Sequence, residues 1–144
     1  MTFLLDVNVL LVLHDPRHPH YKPVFRWFAH TSANSFATCP ITQSGLFRLL
    51  TQGIPGLVPF EMVEARKALE HLTGRTGHIF WPDAPPWIGS TKPLFNRLQG
   101  HRQATDAYLL GLAILNKGKL ATLDLGILHL AGAQFAANVE LIEP

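Results

Sequence analysis

Short apolar runs alternate along the chain with longer segments in which apolar residues recur at helical spacing. The apolar runs predict β-strands at residues 3–6, 36–39, 78–81, 119–123 and 139–142. The periodic segments predict helices at residues 7–13, 41–52, 59–73 and 105–117, and Tyr21, Val24, Phe25 and Phe28 indicate one more. Because strands alternate with helices, the pattern predicts an α/β fold with a central, mostly parallel sheet flanked by helices.

The predicted elements belong to one domain that spans residues 1–144. A chain of 144 residues is long enough to bury one sizeable core. The proline-rich residues 82–93 are predicted to be a loop inside this domain, because strands and helices are predicted on both sides of it. The segment 105–117 is apolar nearly all round, so we expect its helix at the centre of the molecule.

Composition narrows the possible classes of protein. Hydrophobic residues make up 47% of the chain and charged residues 15%, which excludes a disordered chain. The net charge is only +2, so binding of a nucleic acid requires a local basic patch. Cys39 is the single cysteine, which suits a reducing compartment and predicts a cytoplasmic protein. The apolar residues 2–13 are interrupted by Asp6 and Asn8 and are too few to span a membrane.

The carboxylates divide into two groups. Seven lie in predicted loops, near the C-terminus or on the polar face of a helix, and we expect them at the surface: Asp15, Glu61, Glu64, Glu70, Asp83, Glu140 and Glu143. The other three, Asp6, Asp106 and Asp124, adjoin apolar runs. Asp6 and Asp124 fall at the C-terminal ends of predicted strands, and Asp106 opens a predicted helix.

Each of these three aspartates has a structural explanation when it is taken alone. Asp6 can cap the next helix, Asp124 can begin a turn, and Asp106 can be an acidic residue of a first helical turn. Together, however, they stand at strand ends and a helix start, and ligands of open parallel sheets bind outside the carboxyl ends of the strands. The three therefore predict a shared site for a hard cation such as Mg²⁺ or Mn²⁺.

Histidines offer a competing metal site. His14, His18 and His20 cluster in the sequence, but no cysteine or carboxylate lies at a familiar zinc spacing from them. We interpret these three histidines as structural or surface residues.

The order of motifs resembles that of PIN-domain ribonucleases, and of VapC toxins in particular. Residues 4–11 resemble the opening strand and helix of PIN domains, and residues 105–109 resemble their third acidic motif. Residues 121–124 resemble the fourth motif, including its Thr two residues before the Asp. Residues 39–42 with 45–48 resemble the second motif of VapC toxins, and residues 78–83 are also similar to those toxins. The resemblance covers nearly the whole chain and implies a PIN-like fold.

Gln43 departs from the family pattern, which has Glu in the second motif. With Leu46, Phe47 and Leu50 it lies on the apolar face of its predicted helix, where a polar side chain needs a partner. An amide offers one carbonyl oxygen but no charge, so Gln43 in the place of a metal ligand weakens cation binding. A hydrogen-bonded core glutamine remains the alternative interpretation.

The resemblance implies hydrolysis of RNA phosphodiester bonds, with a 5′-phosphate and a free 3′-hydroxyl as products. One or two Mg²⁺ or Mn²⁺ ions would bind Asp6, Asp106 and Asp124, with Gln43 in the place of a fourth ligand. Asn8 and Thr122 are candidates for hydrogen bonds that orient these ligands or a water. Candidate RNA-binding residues are Arg17, Lys22, Arg26 and Arg48. The resemblance also implies a homodimer and a VapB-like antitoxin that blocks the site.

Two other functions remain open from the sequence. The first is a PIN scaffold that binds RNA or an antitoxin but cleaves poorly because of Gln43. The second is a phosphohydrolase of the haloacid dehalogenase type, which also begins with an apolar strand that ends in Asp. That type usually has a second Asp two residues later, where this chain has Asn8.

Overall fold

The computed structural model describes residues 1–143; Pro144, the last residue of the predicted domain, lies outside the described residues. Residues 1–143 form a sheet of parallel strands β1 (Phe3–Leu5), β2 (Phe36–Thr38), β3 (His78–Phe80), β4 (Lys119–Thr122) and β5 (Val139–Leu141). The helices are α1 (Val7–Leu13), α2 (Tyr21–Trp27), α3 (Pro40–Gln52), α4 (Met62–Thr73), α5 (Trp87–Thr91), α6 (Ala104–Leu115) and α7 (Leu125–Phe135). The predicted α/β fold with a parallel sheet is confirmed.

The order of the strands creates a switch point at the centre of the sheet. The strands lie in the order β3-β2-β1-β4-β5, so the chain first moves from β1 to one side and later returns to the other side with β4. β1 and β4 are direct neighbours, with Leu5 opposite Ala121. In open α/β sheets, ligands bind outside the carboxyl ends of the strands at such a reversal. Asp6 directly follows β1, and Asp124 lies two residues beyond β4.

Two apolar cores cover the two faces of the sheet. Side chains of a strand alternate between faces, so Leu4 points to one face while Phe3 and Leu5 point to the other. Leu4 belongs to a core that includes α6 and α7, whereas Phe3 and Leu5 belong to a core that includes α1 to α4. The central position predicted for α6 is confirmed, because residues 107–113 of this helix are buried. Over residues 1–143, every helix is too short or too polar to cross a membrane.

The prediction of a loop at residues 82–93 is wrong, because this segment contains α5 and the start of a 3₁₀ helix at Lys92–Arg97. Pro86 precedes the first residue of α5, where a missing N–H breaks no helical hydrogen bond. Ser90 is fully buried and its hydroxyl donates to the Tyr108 carbonyl on α6. A Cβ at Gly111 would collide with the Ser90 carbonyl oxygen, so the absence of a side chain at this glycine permits the close contact of α5 and α6.

α4 and α7 also differ from the sequence prediction. α4 begins at Met62 rather than Pro59, because Glu61 and Glu64 form a capping box there. α7 was not predicted, since only a turn was expected after Asp124. α7 is kinked at Gly132, where a φ of 61° interrupts the helical conformation. Arg97 donates to the carbonyls of His129 (2.7 Å) and Leu130 (3.0 Å), which lie just before the kink.

Candidate active site

Asp6 is held rigidly at the end of β1. Its Oδ1 accepts from the Val7 backbone N–H at 2.8 Å, and its Oδ2 accepts from the Thr122 hydroxyl at 2.7 Å. Its side chain is buried, with 7% of the residue exposed. Burial raises the pKa of Asp6 and the charge of Asp124 raises it further, while the two hydrogen bonds act in the opposite direction. The carboxylate is therefore fixed in position but costly to ionise while it has no cation nearby.

Thr122 and Asn8 connect the ends of β1 and β4. The Thr122 hydroxyl accepts from the Asp124 backbone N–H at 3.1 Å, while its own proton goes to Asp6. Asn8 Nδ2 lies 3.4 Å from the same hydroxyl oxygen, and Asn8 Oδ1 accepts from the Leu123 N–H at 3.3 Å. Thr122 and Asn8 therefore contact the segments that carry Asp6 and Asp124. Residues that orient these two carboxylates must make such contacts.

Asp124 and Asp106 come from the starts of two helices that pack on the same face of the sheet. Asp124 is exposed and caps α7, where its Oδ1 accepts from the Gly126 N–H at 2.8 Å. Asp106 is half-buried in the first turn of α6. Burial and then the charges of Asp6 and Asp124 raise the pKa of Asp106 from 3.8 to about 6. The three carboxylates thus repel one another at one edge of the sheet.

The negative charge of these aspartates is not balanced by basic side chains. Within residues 1–143, the ion pairs are Arg66–Glu70 and Lys119–Glu140, and neither involves the three aspartates. A cluster of carboxylates without a paired cation is unfavourable unless it is protonated or binds a cation from solution.

Gln43 lies in the first turn of α3, which begins just beyond the end of β2. Its side chain is half-buried, and its Nε2 donates to the Thr38 hydroxyl at 3.0 Å. Thr38 is fully buried and its hydroxyl also lies 2.7 Å from His78 Nε2. β2 is the neighbour of β1, so Gln43 belongs to the same edge of the sheet as Asp6. That its amide faces the three aspartates stays a prediction.

Relatives of this chain in sequence are named ribonucleases. No family model matches the chain. Ribonuclease VapC39 of Mycobacterium tuberculosis is 38% identical over 133 residues, which cover 92% of this chain and 96% of that protein. Ribonuclease VapC29 of the same organism is 40% identical over 132 residues, or 92% of each chain. Ribonuclease VapC38 is 36% identical over 141 residues and 96% of each chain. The chain belongs to the VapC ribonuclease family.

The fold of this VapC family member agrees with a solved structure. VapBC2 from Rickettsia felis, bound to a DNA fragment from its promoter, superimposes with a TM-score of 0.65. The superposition covers 99% of this chain and 100% of that chain at 12% sequence identity. The likeness confirms the PIN-like α/β fold predicted from the order of motifs. The VapC relatives give no support to the haloacid dehalogenase alternative.

Among residues 1–143, His14, His18 and His20 belong to no group of three or more His, Cys, Asp and Glu side chains that is arranged to hold a metal ion. His14 Nδ1 bonds to the Leu10 carbonyl at 2.7 Å, and His18 Nδ1 accepts from the His20 backbone N–H at 3.0 Å. Burial lowers the pKa of His14. Asp15 beside them was expected at the surface, and that prediction is wrong. It is 7% exposed, because it turns back to accept from the Arg17 backbone N–H at 3.2 Å.

The four basic residues proposed to bind RNA are all exposed: Arg17, Lys22, Arg26 and Arg48. Arg17 lies beyond the C-terminal end of α1, whose N-terminal end carries Asp6. The seven residues of that helix span about 10 Å at 1.5 Å per residue. Arg17 therefore does not border the aspartates directly. The RNA-binding roles of the four residues stay predictions.

The three aspartates offer the hard oxygen donors that Mg²⁺ and Mn²⁺ prefer. Among residues 1–143, no three or more His, Cys, Asp and Glu side chains are arranged so that they alone could hold a metal ion. Mg²⁺ usually keeps several waters and uses only one or two protein carboxylates. The unbalanced carboxylates at the switch point fit such a hydrated cation, and they do not fit a fully protein-ligated ion such as structural zinc.

Proposed function

We propose that the chain is a metal-dependent endoribonuclease, the toxin of a toxin–antitoxin pair. The observation that carries this proposal is the set of three mutually repelling aspartates at the switch point, in a chain whose relatives are named ribonucleases. The charges of these three carboxylates repel a polyanionic substrate unless a cation neutralises them. A cation held by these aspartates would also neutralise charge on RNA phosphates, so the acidic site and a polyanionic substrate would require the same ion.

The residues that would hold Mg²⁺ or Mn²⁺ are Asp6, Asp106 and Asp124, with the carbonyl oxygen of Gln43 in the place of a fourth ligand. When bound, the ion lowers the pKa of a coordinated water and neutralises charge on the phosphate. Thr122 and the start of α1 keep the Asp6 carboxylate in one orientation. Asn8 ties the segment before Asp124 to α1. Loss of such hydrogen bonds to metal-binding residues typically lowers metal affinity or activity 10- to 100-fold.

The proposed partners follow from the family. We propose a VapB-like antitoxin, since the similar Rickettsia felis structure is of VapBC2. We also propose a homodimer as the functional unit. A cytoplasmic location agrees with a chain that holds a single, buried cysteine, Cys39.

Purified protein should cleave a structured RNA in the presence of Mg²⁺ or Mn²⁺ and stop when EDTA is added. The products should carry 5′-phosphates, which a 5′-phosphate-dependent exonuclease degrades. Addition of the cognate antitoxin should inhibit the cleavage. Cleavage that persists in EDTA would contradict the metal mechanism, whereas RNA binding without cleavage in either metal would favour the impaired scaffold.

Binding of RNA should weaken as salt rises, because each phosphate contact releases condensed counterions. Alanine variants of Arg17, Lys22, Arg26 and Arg48 should each reduce the slope of log affinity against log salt by roughly one where the side chain contacts a phosphate. Fluorescence anisotropy with a labelled single-stranded RNA measures the slope. Lys67→Ala, an exposed change on α4, is the control. If all four variants match this control, the assignment of these four residues to RNA binding is wrong.

A further inference from the structure

A chain of hydrogen bonds leads from Gln43 to the edge strand β3. Gln43 Nε2 donates to Thr38 Oγ1 at 3.0 Å, and Thr38 Oγ1 lies 2.7 Å from His78 Nε2. Thr38 has no exposed surface, so water does not compete for its hydroxyl. His78 packs against Phe36, the residue opposite it on β2, with ring centroids 5.5 Å apart. The hydrogen bond to Thr38 and the packing against Phe36 hold the imidazole of His78 in place.

The chemistry of the hydroxyl fixes the direction of these bonds. A threonine hydroxyl has one proton to donate and two lone pairs that accept. Because the amide nitrogen of Gln43 can only donate, Thr38 accepts from it and is left with one proton, which points to His78. Among the described residues, His78 Nε2 is the other hydrogen-bond partner of this hydroxyl, and a buried O–H needs an acceptor, so we assign Nε2 as the acceptor and place the ring proton on Nδ1.

The opposite tautomer would turn the Gln43 amide around. With a proton on Nε2, His78 would donate to Thr38, and the Thr38 proton would pass to the nearest acceptor, Gln43 Oε1. The NH₂ group of Gln43 would then point away from Thr38, in the direction that the carbonyl oxygen now takes. A carbonyl oxygen attracts a cation, whereas an NH₂ group repels it. The state of His78 therefore decides which end of this amide is presented beyond Thr38.

We propose that His78, acting through Thr38, is a positioning residue that holds the side-chain carbonyl of Gln43 toward the aspartates at the sheet edge. The inference rests on the proposed function in one respect, the use of that carbonyl for a cation. The orientation itself is a property of the protein without metal or RNA. Burial lowers the pKa of His78, so the ring is neutral at pH 7.5 and one tautomer can be assigned.

The first test is ¹⁵N NMR of the histidine side chains in the wild-type protein at pH 7.5, with His78→Gln to assign the signals. We expect His78 to carry its proton on Nδ1 and to have an unprotonated Nε2. Nuclear Overhauser contacts should connect the Gln43 NH₂ protons with the Thr38 methyl group. An Nε2-protonated ring, or an amide whose NH₂ lies away from Thr38, overturns the proposal whether or not the protein cleaves RNA.

The second test asks whether Thr38 acts through Gln43. Thr38→Val keeps the shape but removes the hydroxyl, and we expect about a tenfold loss of Mn²⁺ affinity, measured by electron paramagnetic resonance. Thr38→Ser should restore the affinity to within about twofold of wild type. In a Gln43→Ala background, Thr38→Val should have no further effect. Thr51→Val is the matched control. It removes a hydroxyl that donates to the Phe47 carbonyl within α3, the helix that carries Gln43.

An equal loss from Thr38→Val in both backgrounds would show that Thr38 is merely structural and would overturn the proposal. A wild-type protein that binds no Mn²⁺ and cleaves no RNA would contradict the proposed function instead. In that case the tautomer and the amide orientation still decide the positioning role of His78.

Discussion

Asp106→Asn should abolish RNA cleavage and at the same time make the metal-free protein more stable. The loss of activity follows because Asp106 is one of three carboxylates assigned to the cation. If its removal forfeits about 4 kcal/mol of the metal's stabilisation of the transition state, the rate falls roughly a thousandfold. The gain in stability follows because the ionised Asp106 carboxylate is half-buried and faces the charges of Asp6 and Asp124.

The pH dependence of stability is a second way to test the effect of Asp106→Asn. The pKa of Asp106 in the folded protein is about 6, above its ordinary value of 3.8. Between these two values the folded protein holds a proton that the unfolded chain has released, so the stability from this group falls as the pH rises from about 4 to about 6. At pH 7.5 that stability is lost in the wild type. Asp106→Asn should remove this part of the pH dependence.

The expected gain for Asp106→Asn without metal is about 1 kcal/mol at pH 7.5, because solvent screens a half-exposed carboxyl. For a chain of this size, that corresponds to a melting temperature about 2–4 °C higher. Magnesium should raise the melting temperature of the wild type more than that of the variant, since a ligand stabilises the state that binds it. Thermal denaturation with EDTA and with magnesium, at pH 5 and pH 7.5, measures all of these effects.

Asp83→Asn is the matched control, because it removes the same charge from an exposed aspartate that is not among the groups that raise the pKa of Asp6 or Asp106. It should leave cleavage and the magnesium response unchanged. An Asp106→Asn protein that cleaves RNA like the wild type, or that is less stable in EDTA, would refute the assignment of Asp106 to a cation site.

The acidic side of the proposed site could be predicted from the sequence because its signals are local. Asp6 and Asp124 each follow an apolar strand, and the direction of parallel strands brings their ends to one edge. Thr122 could be named because it stands two residues before Asp124. The carboxyl ends of β1 and β4 are neighbours in the sheet, as this interpretation requires.

The sequence did not reveal Thr38 and His78, because their contact joins residues 40 positions apart. A lone histidine at the start of a short strand carries no signal of a hydrogen-bonding role. Only the register, in which Phe36 lies opposite His78, brings its ring to the end of β2. The helices α5 and α7 were missed for another reason. The prolines of residues 82–93 were taken to indicate a loop, and only a turn was expected after Asp124, whereas Pro86 precedes α5 and Asp124 caps the start of α7.

Gln43→Glu should strengthen divalent-cation binding and raise ribonuclease activity. A carboxylate in place of the amide adds a fourth negative charge a few Å from the cation. At an effective dielectric constant near 20, this attraction is on the order of a few kcal/mol. If only a part of it is expressed in the transition state, cleavage rises about tenfold or more, since about 1.4 kcal/mol of barrier is a factor of ten.

The same substitution should make the metal-free protein less stable. A fourth carboxylate near Asp6, Asp106 and Asp124 increases their repulsion and raises the pKa of at least one of them further. The variant should therefore gain more thermal stability from manganese than the wild type does. It should also change His78, because a carboxylate only accepts hydrogen bonds and takes the single proton of Thr38. His78 Nε2 must then become a donor, which ¹⁵N NMR detects.

The comparison requires Mn²⁺ titration, melting with and without manganese, and cleavage of one structured RNA by both proteins. Gln52→Glu adds the same charge at the exposed, C-terminal end of the same helix and is the matched control. It should resemble the wild type in all three measurements. If Gln43→Glu also leaves metal affinity and cleavage unchanged, Gln43 is a hydrogen-bonded core residue whose partner is Thr38. This chain would then have no metal ligand at the position of the family's glutamate, and the three aspartates alone would have to support catalysis.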